Sequence, residues 1–426
     1  MTVLASAFTL PCGISIPNRF AKAAMTEGLA EPGGVAGARI ARVYRLWSEG
    51  GAGLIVTGNI MVDRRYRERP ANIVVDGPQD EAAMAGLRSY AEAAKAGGSA
   101  AIAQISHAGR QSPAIIAPVP VGPSAVAVKL PGGVFARPRA LSEDDIHDVI
   151  ARFARTAKTC VEAGFDGVQV HAAHGYLISE FLNPLVNRRT DRWGGSLENR
   201  ARILIETVRA VRGSIGPEKA LSVKLNSSDF QKGGFDFEDC KRVVAMLDEE
   251  GIDLLEISGG NYEQPRMMGL EGVEPVFAGE VRETTRAREA YFMDYAEEVL
   301  NTAKTPVMVT GGFRSMAAME EAVEAGVAVI GIGRPLCVMP DAPKRLLGGA
   351  YAALPAFEER LALGSGYFGP TSSSELMKAA NGFAALAFFY RNIIRMADGK
   401  APKRKMNLWG ALIAHQLQER ADAKAM

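Results

Sequence analysis

Three residues able to do chemistry fall close together in this chain. His171, His174 and Tyr176 lie in the stretch Asp166–Arg200, DGVQVHAAHGYLISEFLNPLVNRRTDRWGGSLENR. The chain holds only five histidines, so a pair at this spacing is not compositional noise. Two imidazoles in one pocket can bind a metal, act as acid and base, or donate hydrogen bonds to a substrate oxygen that becomes negative. A metal needs a third ligand and groups that orient the ligands. No further His or carboxylate stands at metal spacing, so no metal is expected. The oxygen-binding reading suits Tyr176, a neutral phenol that could deliver a proton. The competing reading makes all three satisfied core residues.

These residues must be held by a scaffold. The apolar run before His171 reads as a buried strand that ends where the histidines begin. Similar runs are expected as strands at Phe20–Met25, Leu54–Gly58, Ala101–Ile105, Gly167–Val170, Leu221–Leu225, Leu254–Ile257, Val307–Thr310 and Val329–Ile332. Segments of helical periodicity fall between most of them, among them Glu143–Ala163, Leu197–Val211, Asp239–Glu250 and Tyr291–Ala303. Ser142 before Glu143, Asp144 and Asp145 is an N-cap with an acidic first turn, and Gly164, Gly251 and Gly326 stand where helices should stop. Strands alternating with helices over most of the chain predict an α/β fold, a (β/α)8 TIM barrel, whose chemistry sits at the carboxyl ends of the strands. A doubly wound sheet is the alternative, but no GxGxxG follows the first strand.

Two segments exceed the repeat. Ser106–Ala140 carries Pro113, Pro118, Pro120, Pro123, Pro131 and Pro138, and is expected to cap the barrel mouth. Residues 351–426 read as a helical extension, with helices at Ser374–Ala397 and Asn407–Ala423 joined by the basic turn Lys400–Lys405. The expected organisation is thus a barrel over 1–350, with its cap at about 106–141, and a helical tail over 351–426.

A formal net charge of +1 argues against a nucleic-acid or acidic-membrane partner. Cys12, Cys160, Cys240 and Cys337 are far apart and without CxxC spacing, which speaks against a disulfide framework or iron–sulfur module and for a cytoplasmic setting. No stretch reaches the ~20 apolar residues a membrane span needs. A small-molecule substrate is expected, and a homo-oligomer is left open. Arg391 and Arg395 could reach a neighbouring subunit or form a solvated helix face.

Thr310-Gly311-Gly312-Phe313-Arg314 follows the seventh predicted strand, and Gly331-Ile332-Gly333-Arg334-Pro335 ends the eighth. Barrels often bind a phosphate at these two loops, where glycine lets backbone N–H groups approach an anion and arginine adds a charge-assisted bond. Tight turns without a ligand are the alternative. A phosphate site beside two oxyanion donors suggests a phosphorylated cofactor with substrate stacked on it.

The chain resembles the old yellow enzyme family of FMN-dependent oxidoreductases from about Leu10 to Leu347. The motifs that carry the resemblance are Pro17-Asn18-Arg19-Phe20 with Ala24-Met25-Thr26, Gly53-Leu54-Ile55-Val56-Thr57-Gly58, Gln104-Ile105-Ser106-His107-Ala108-Gly109-Arg110, the HAAHGYLISEFLNPLVNRRTDRWGGSLENR block, and Gly331-Ile332-Gly333-Arg334.

The resemblance implies FMN as cofactor and NADH or NADPH as electron donor. It implies that Thr26 hydrogen-bonds the flavin edge, that Ala24, Met25 and Gly58 line the ring, and that Gln104 reads the pyrimidine edge. It places the phosphate on Gly312, Gly333 and Arg334. It makes His171 and His174 the substrate-activating pair and Tyr176 the proton donor. Lys224 stands where many members carry Arg, and supplies the charge without the planar fork. A buried lysine satisfied by a carboxylate is the other reading of Lys224. The implied reaction is a ping-pong reduction of a C=C bond conjugated to an electron-withdrawing group. The alternative is oxidation of an amine or ring substrate on the same barrel. The tail matches none of the family's motifs.

Overall fold

The computed structural model describes residues 2–130, 133–259 and 293–426. Pro131 of the cap and the start of the helix expected at Tyr291 lie outside them. Eight strands form the barrel: β1 (Phe20–Lys22), β2 (Leu54–Val56), β3 (Ala100–Ser106), β4 (Gly167–Ala172), β5 (Ala220–Asn226), β6 (Leu254–Ser258), β7 (Val307–Thr310) and β8 (Val329–Ile332). Each pairs in parallel with the next, and β8 pairs with β1 to close the ring. Helices α1 (Ala38–Glu49), α2 (Glu81–Lys95), α3 (Glu143–Glu162), α4 (Leu197–Ile215), α5 (Phe237–Glu249), α6 (Met293–Leu300) and α7 (Met316–Glu324) each follow a strand. The short α8 (Ala342–Leu347) comes after β8, and α9 (Glu375–Ala397) and α10 (Leu408–Ala425) pair with each other beyond it. The predicted α/β TIM barrel with a helical tail is the observed fold.

Strand residues alternate between two cores, as the pleat requires. Leu221, Val223 and Leu225 of β5 point outward into the layer shared with the helices. Ala220 of the same strand points inward, into a second cluster with Ala21, Leu54, Val56, Ala100, Ile102, Leu254, Met308 and Val329. This inner cluster fills the lower barrel. It is closed from below by an antiparallel hairpin, Phe8–Thr9 with Ser15–Ile16, whose Leu10 and Ile16 are buried in it.

Local signals place the element ends. Ser142 and Asp145 form a reciprocal capping box on α3, and Gly164, Gly251 and Gly326 follow helices with positive φ. Two strands stop earlier than the apolar runs predict. β1 ends at Lys22, not Met25, and β2 at Val56, not Gly58. The Gly58 N–H leaves the ladder because it donates instead to Tyr44 Oη at 2.8 Å and Glu27 Oε1 at 3.1 Å. The chain so released, Ala24–Glu27 and Gly58, is free to line the mouth. Cys160, Cys240 and Cys337 are buried and unpaired, and burial pushes the thiols of Cys160 and Cys337 up to about 12. Among the described residues no helix is long and apolar enough to cross a membrane.

The hairpin should carry part of the barrel's stability. Ile16 is fully buried, so Ile16→Ala is expected to cost about 2–5 kcal/mol in a urea unfolding experiment. A loss well under 1 kcal/mol would show that the floor is not packed as described.

Candidate active site

Above the apolar floor, the inward positions turn polar. Gln104 (β3), Gln169 and His171 (β4), Ser222 and Lys224 (β5), and Glu256 and Ser258 (β6) all face the barrel axis on neighbouring strands. Their register is set by the ladder, which pairs Gln169 with Gln104 and Ser222, and Lys224 with His171 and Glu256. Gln104 Nε2 donates to Gln169 Oε1 at 2.6 Å. Gln169 Nε2 donates in turn to Ser222 Oγ at 3.0 Å and Glu256 Oε2 at 2.9 Å. Lys224 Nζ pairs with Glu256 Oε1 at 2.9 Å, both side chains being buried. Lys224 therefore has the carboxylate partner of its second reading while still presenting its charge at the mouth.

The histidine pair sits at the top of β4. The rings of His171 and His174 lie 5.0 Å apart at 74°, and Tyr176 stands edge-on to His171 at 4.8 Å. All three residues are buried. The Ala173 N–H donates to His171 Nδ1 at 3.2 Å. That nitrogen is therefore an acceptor, and the ring proton resides on Nε2, free to be donated. His174 Nε2 shares a 2.7 Å hydrogen bond with Ser258 Oγ. His174 adopts a left-handed backbone, φ 63°, which is uncommon outside glycine. It is held there by Asn226 Oδ1, which accepts its N–H at 3.2 Å, and by Gln111 Nε2, which donates to its carbonyl at 2.9 Å. Gln111 belongs to the Pro-rich excursion, which also reaches the short helix Leu177–Leu182 through Arg110 N–H on Glu180 Oε1 at 2.8 Å.

Burial, followed by the charge of Lys224, pushes both imidazoles well below their ordinary range. For His174 the neighbouring His171 adds to this. Both are neutral N–H groups at physiological pH, which suits hydrogen bonding to an oxygen and not proton storage.

The remaining predicted residues ring the same mouth. Ala24, Met25 and Thr26 follow β1, and Gly58 follows β2. A Cβ at Gly58 would overlap Glu27 and the Met25 carbonyl, so glycine is required there. Behind this rim Lys22 is fully buried between the barrel and α1. Its Nζ donates to the carbonyls of Ala23 and Val56 at 3.2 and 2.9 Å and to Tyr44 Oη at 3.1 Å. Burial lowers its pKa to about 8, against the opposing pull of Glu27.

Gly312 follows β7 with φ 78°, and Gly333 and Arg334 follow β8. Arg334 and Arg314 converge on one carboxylate, Glu358, at 3.5 Å for Arg334. Arg314 Nε and Thr310 Oγ1 are buried without a hydrogen-bond partner among the described residues. Two guanidinium groups around an anion, with a spare donor and two glycine turns, fit a phosphate. With the amide of Gln104 and the cation of Lys224 deeper in the mouth, the donor set fits FMN. Gly312, Gly333, Arg334 and Arg314 would hold its phosphate, and Ala24, Met25, Thr26, Gly58, Gln104 and Lys224 its ring.

Several residues at this site escape the sequence patterns. Gln169, Glu256 and Ser258 share inward parity with His171 and Lys224, so a polar residue every second position inside an apolar run was a usable signal. Arg314 ends a loop already marked by its glycines. Glu68, buried in the loop after β2 with its carboxylate on the Tyr176 hydroxyl, gave no signal, because Arg64–Arg69 has the composition of a solvated charged loop.

A parallel barrel with two buried imidazoles, a phenol and paired arginines beside glycine turns at one mouth fits a flavin-binding oxidoreductase barrel. The chain belongs to the NADH:flavin oxidoreductase / NADH oxidase family, whose model matches residues 12–352. It is 35% identical over 356 residues to the NADH-dependent flavin oxidoreductase iliE of Hypocrea jecorina, covering 80% of this chain and 87% of that protein. Among solved structures, it is similar to an old yellow enzyme homologue from Zymomonas mobilis, with TM-score 0.66 and 26% identity, over 82% of this chain and 94% of that one. It is also similar to 2-naphthoyl-CoA reductase, with TM-score 0.73 and 26% identity, over 83% of this chain and 53% of that one. The chain spans only about half the length of some relatives, 46% of a Neonectria sp. protein and 48% of the NADH oxidase of Thermoanaerobacter brockii. The family's cofactor is FMN and its electron donor a nicotinamide.

Two outcomes are expected from this geometry. Removing the Arg334 guanidinium deletes a charge-assisted contact worth about 1.5–3 kcal/mol. Arg334→Ala should therefore weaken FMN binding to the apoprotein by about 10- to 100-fold, read by quenching of flavin fluorescence. The second outcome concerns acid. Unfolded histidines titrate near ~6.5, but His171 and His174 resist protonation when folded, and His107 and His415 are held down to about 4 by burial. As pH falls below ~6.5, the unfolded chain takes up protons that the folded one refuses, so stability present at neutral pH is lost at up to about 1.4 kcal/mol per unit per imidazole. Urea midpoints at pH 7.5 and 5.5 test this. Equal midpoints would mean that the imidazoles protonate freely in the folded state.

Proposed function

We propose that this FMN-dependent enzyme takes electrons from NADH or NADPH and reduces a C=C bond conjugated to a carbonyl or nitro group. The observation that carries the reading is the neutral pair, His171 with its proton on Nε2 and His174 5.0 Å away, beside the phenol of Tyr176. Neutral donors preset around one point stabilise an oxygen as it becomes negative, and lose little to reorganisation in a buried site. An amine substrate would offer them no such oxygen.

FMN, when bound, supplies the hydride that it receives from the nicotinamide. His171 and His174 bind the substrate oxygen and orient the alkene. They stabilise the enolate-like charge that builds on that oxygen as the β-carbon is reduced. Tyr176 then gives its phenolic proton to the α-carbon. Lys224, paired to Glu256, keeps a positive charge under the mouth.

The test begins with the absorption spectrum of the holoprotein. Adding a simple phenol should produce a long-wavelength charge-transfer band from a phenolate held by the two histidines. His174→Ala should lose the band and slow flavin reoxidation by an enone by about 10²–10³-fold. An unchanged reoxidation rate in that variant would remove the pair from the reaction.

A further inference from the structure

Glu68 stands in the loop after β2 and is buried. Its carboxylate gathers three donors. The Tyr176 hydroxyl donates to Oε2, and the Thr26 hydroxyl and Asn72 Nδ2 donate to Oε1, the last at 3.3 Å. An ionised carboxylate only accepts, so it can serve several donors at once. Tyr176 follows β4 and Thr26 follows β1, and Glu68 joins these two strand ends across the mouth.

The next residue, Arg69, is fixed by the tail. Its guanidinium carbon lies 3.7 Å from the centre of the Tyr390 ring, on α9. Its Nη2 and Nε reach Glu419, on α10, at 2.5 and 3.4 Å. Tyr390 itself stacks on His415 of α10, with ring centres 5.0 Å apart and an 8° angle between planes. On its other side the guanidinium lies against Gly28, where a Cβ would stand 3.3 Å away. Asn72 closes the turn, taking the Arg69 N–H on Oδ1 at 2.8 Å while donating to Glu68. Arg69, the neighbour of Glu68, is thus held by Tyr390 and Glu419, with His415 stacked behind the Tyr390 ring. Tyr390, His415 and Glu419 lie beyond the segment 12–352 that the family model matches.

We propose that Glu68 is a positioning residue for Tyr176, and that the hairpin of α9 and α10 sets it through Arg69. The proposal rests on the reading of Tyr176 as proton donor. A phenol anchored on a carboxylate has its oxygen fixed in space. The ring is thereby held in place before the transfer, and the O–H exchanges the Glu68 oxygen for the substrate's α-carbon as the proton moves. In that step the phenolic O–H bond breaks, the C–H bond forms with the enolate's electron pair, and water returns a proton to the phenolate. Without the anchor, the phenol wanders and water protonates the carbon directly.

The experiment reduces an enone with an α-methyl group in D2O, using holoenzyme and NADH. It reads the face on which deuterium enters the α-carbon, together with the rates of the two half-reactions. Wild type should label one face. Tyr176→Phe should label both. Glu68→Gln and Glu419→Gln should shift toward the Tyr176→Phe pattern and slow flavin reoxidation by about 10-fold, with flavin reduction by NADH within about two-fold of wild type. The double variant Glu68→Gln/Glu419→Gln should be no worse than Glu68→Gln alone, because the two act along one path. Tyr390→Leu should behave like Glu419→Gln. If it does not fold, Glu419→Gln, on a partly exposed side chain, tests the same link. Single-face labelling at the wild-type rate in Glu68→Gln and Glu419→Gln, with Tyr176→Phe scrambled, would overturn this proposal and leave Tyr176 as donor. Single-face labelling in Tyr176→Phe as well would overturn both.

Discussion

On β3 to β6 the inward positions turn polar toward the mouth, and the site depends on the ion pair held there. Lys224 and Glu256 are 2.9 Å apart and out of water. Leaving either without the other would cost about 3–5 kcal/mol, so each fixes its partner. Glu256 also takes the Gln169 amide, and Gln169 takes Gln104. One ion pair therefore sets the amide orientation three strands away and holds a cation beneath the mouth. Burial, and after it the same cation, hold His171 and His174 below their ordinary range, so the ion pair and the chemistry of the rim are one arrangement.

A second buried cation supports the opposite part of the rim from outside the barrel. Lys22 lies 4.7 and 4.6 Å over the rings of Tyr44 and Trp47. It donates to the two carbonyls where β1 and β2 end. Tyr44 passes the contact on, accepting from the Gly58 N–H and donating to Glu27. The turn that would line the flavin ring is thus held by polar bonds in an otherwise apolar layer. That is a rigid way to fix a backbone that has left its sheet.

Much of this was legible in the sequence because it follows from period and parity. Strands of a buried parallel barrel are short apolar runs, so β7 and β8 stand at the expected residues. The histidines are legible because they interrupt such a run at its carboxyl end. The strand ends near Met25 and Gly58 were not, because side chains on α1 and in the Glu27 loop compete for the backbone there, and such partners are distant in sequence. Glu68 was illegible for a related reason. Among Arg64, Arg65, Arg67 and Arg69 a glutamate looks solvated, and the groups that enclose Glu68 and hold Arg69, among them Tyr176, Tyr390 and Glu419, are distant in sequence. The tail's helices were readable from their periodicity, but not what they touch.

The cysteines carry a last consequence. A reduced flavin exposed to air generates hydrogen peroxide, and peroxide attacks thiolates, not thiols. Cys337 lies beside the ring site, with its sulfur 3.6 Å from that of Met25. With burial pushing its thiol up to about 12, Cys337 is held as the thiol at neutral pH, the form that peroxide attacks slowly. Burial thus lets the protein keep a cysteine in its less reactive form beside the mouth.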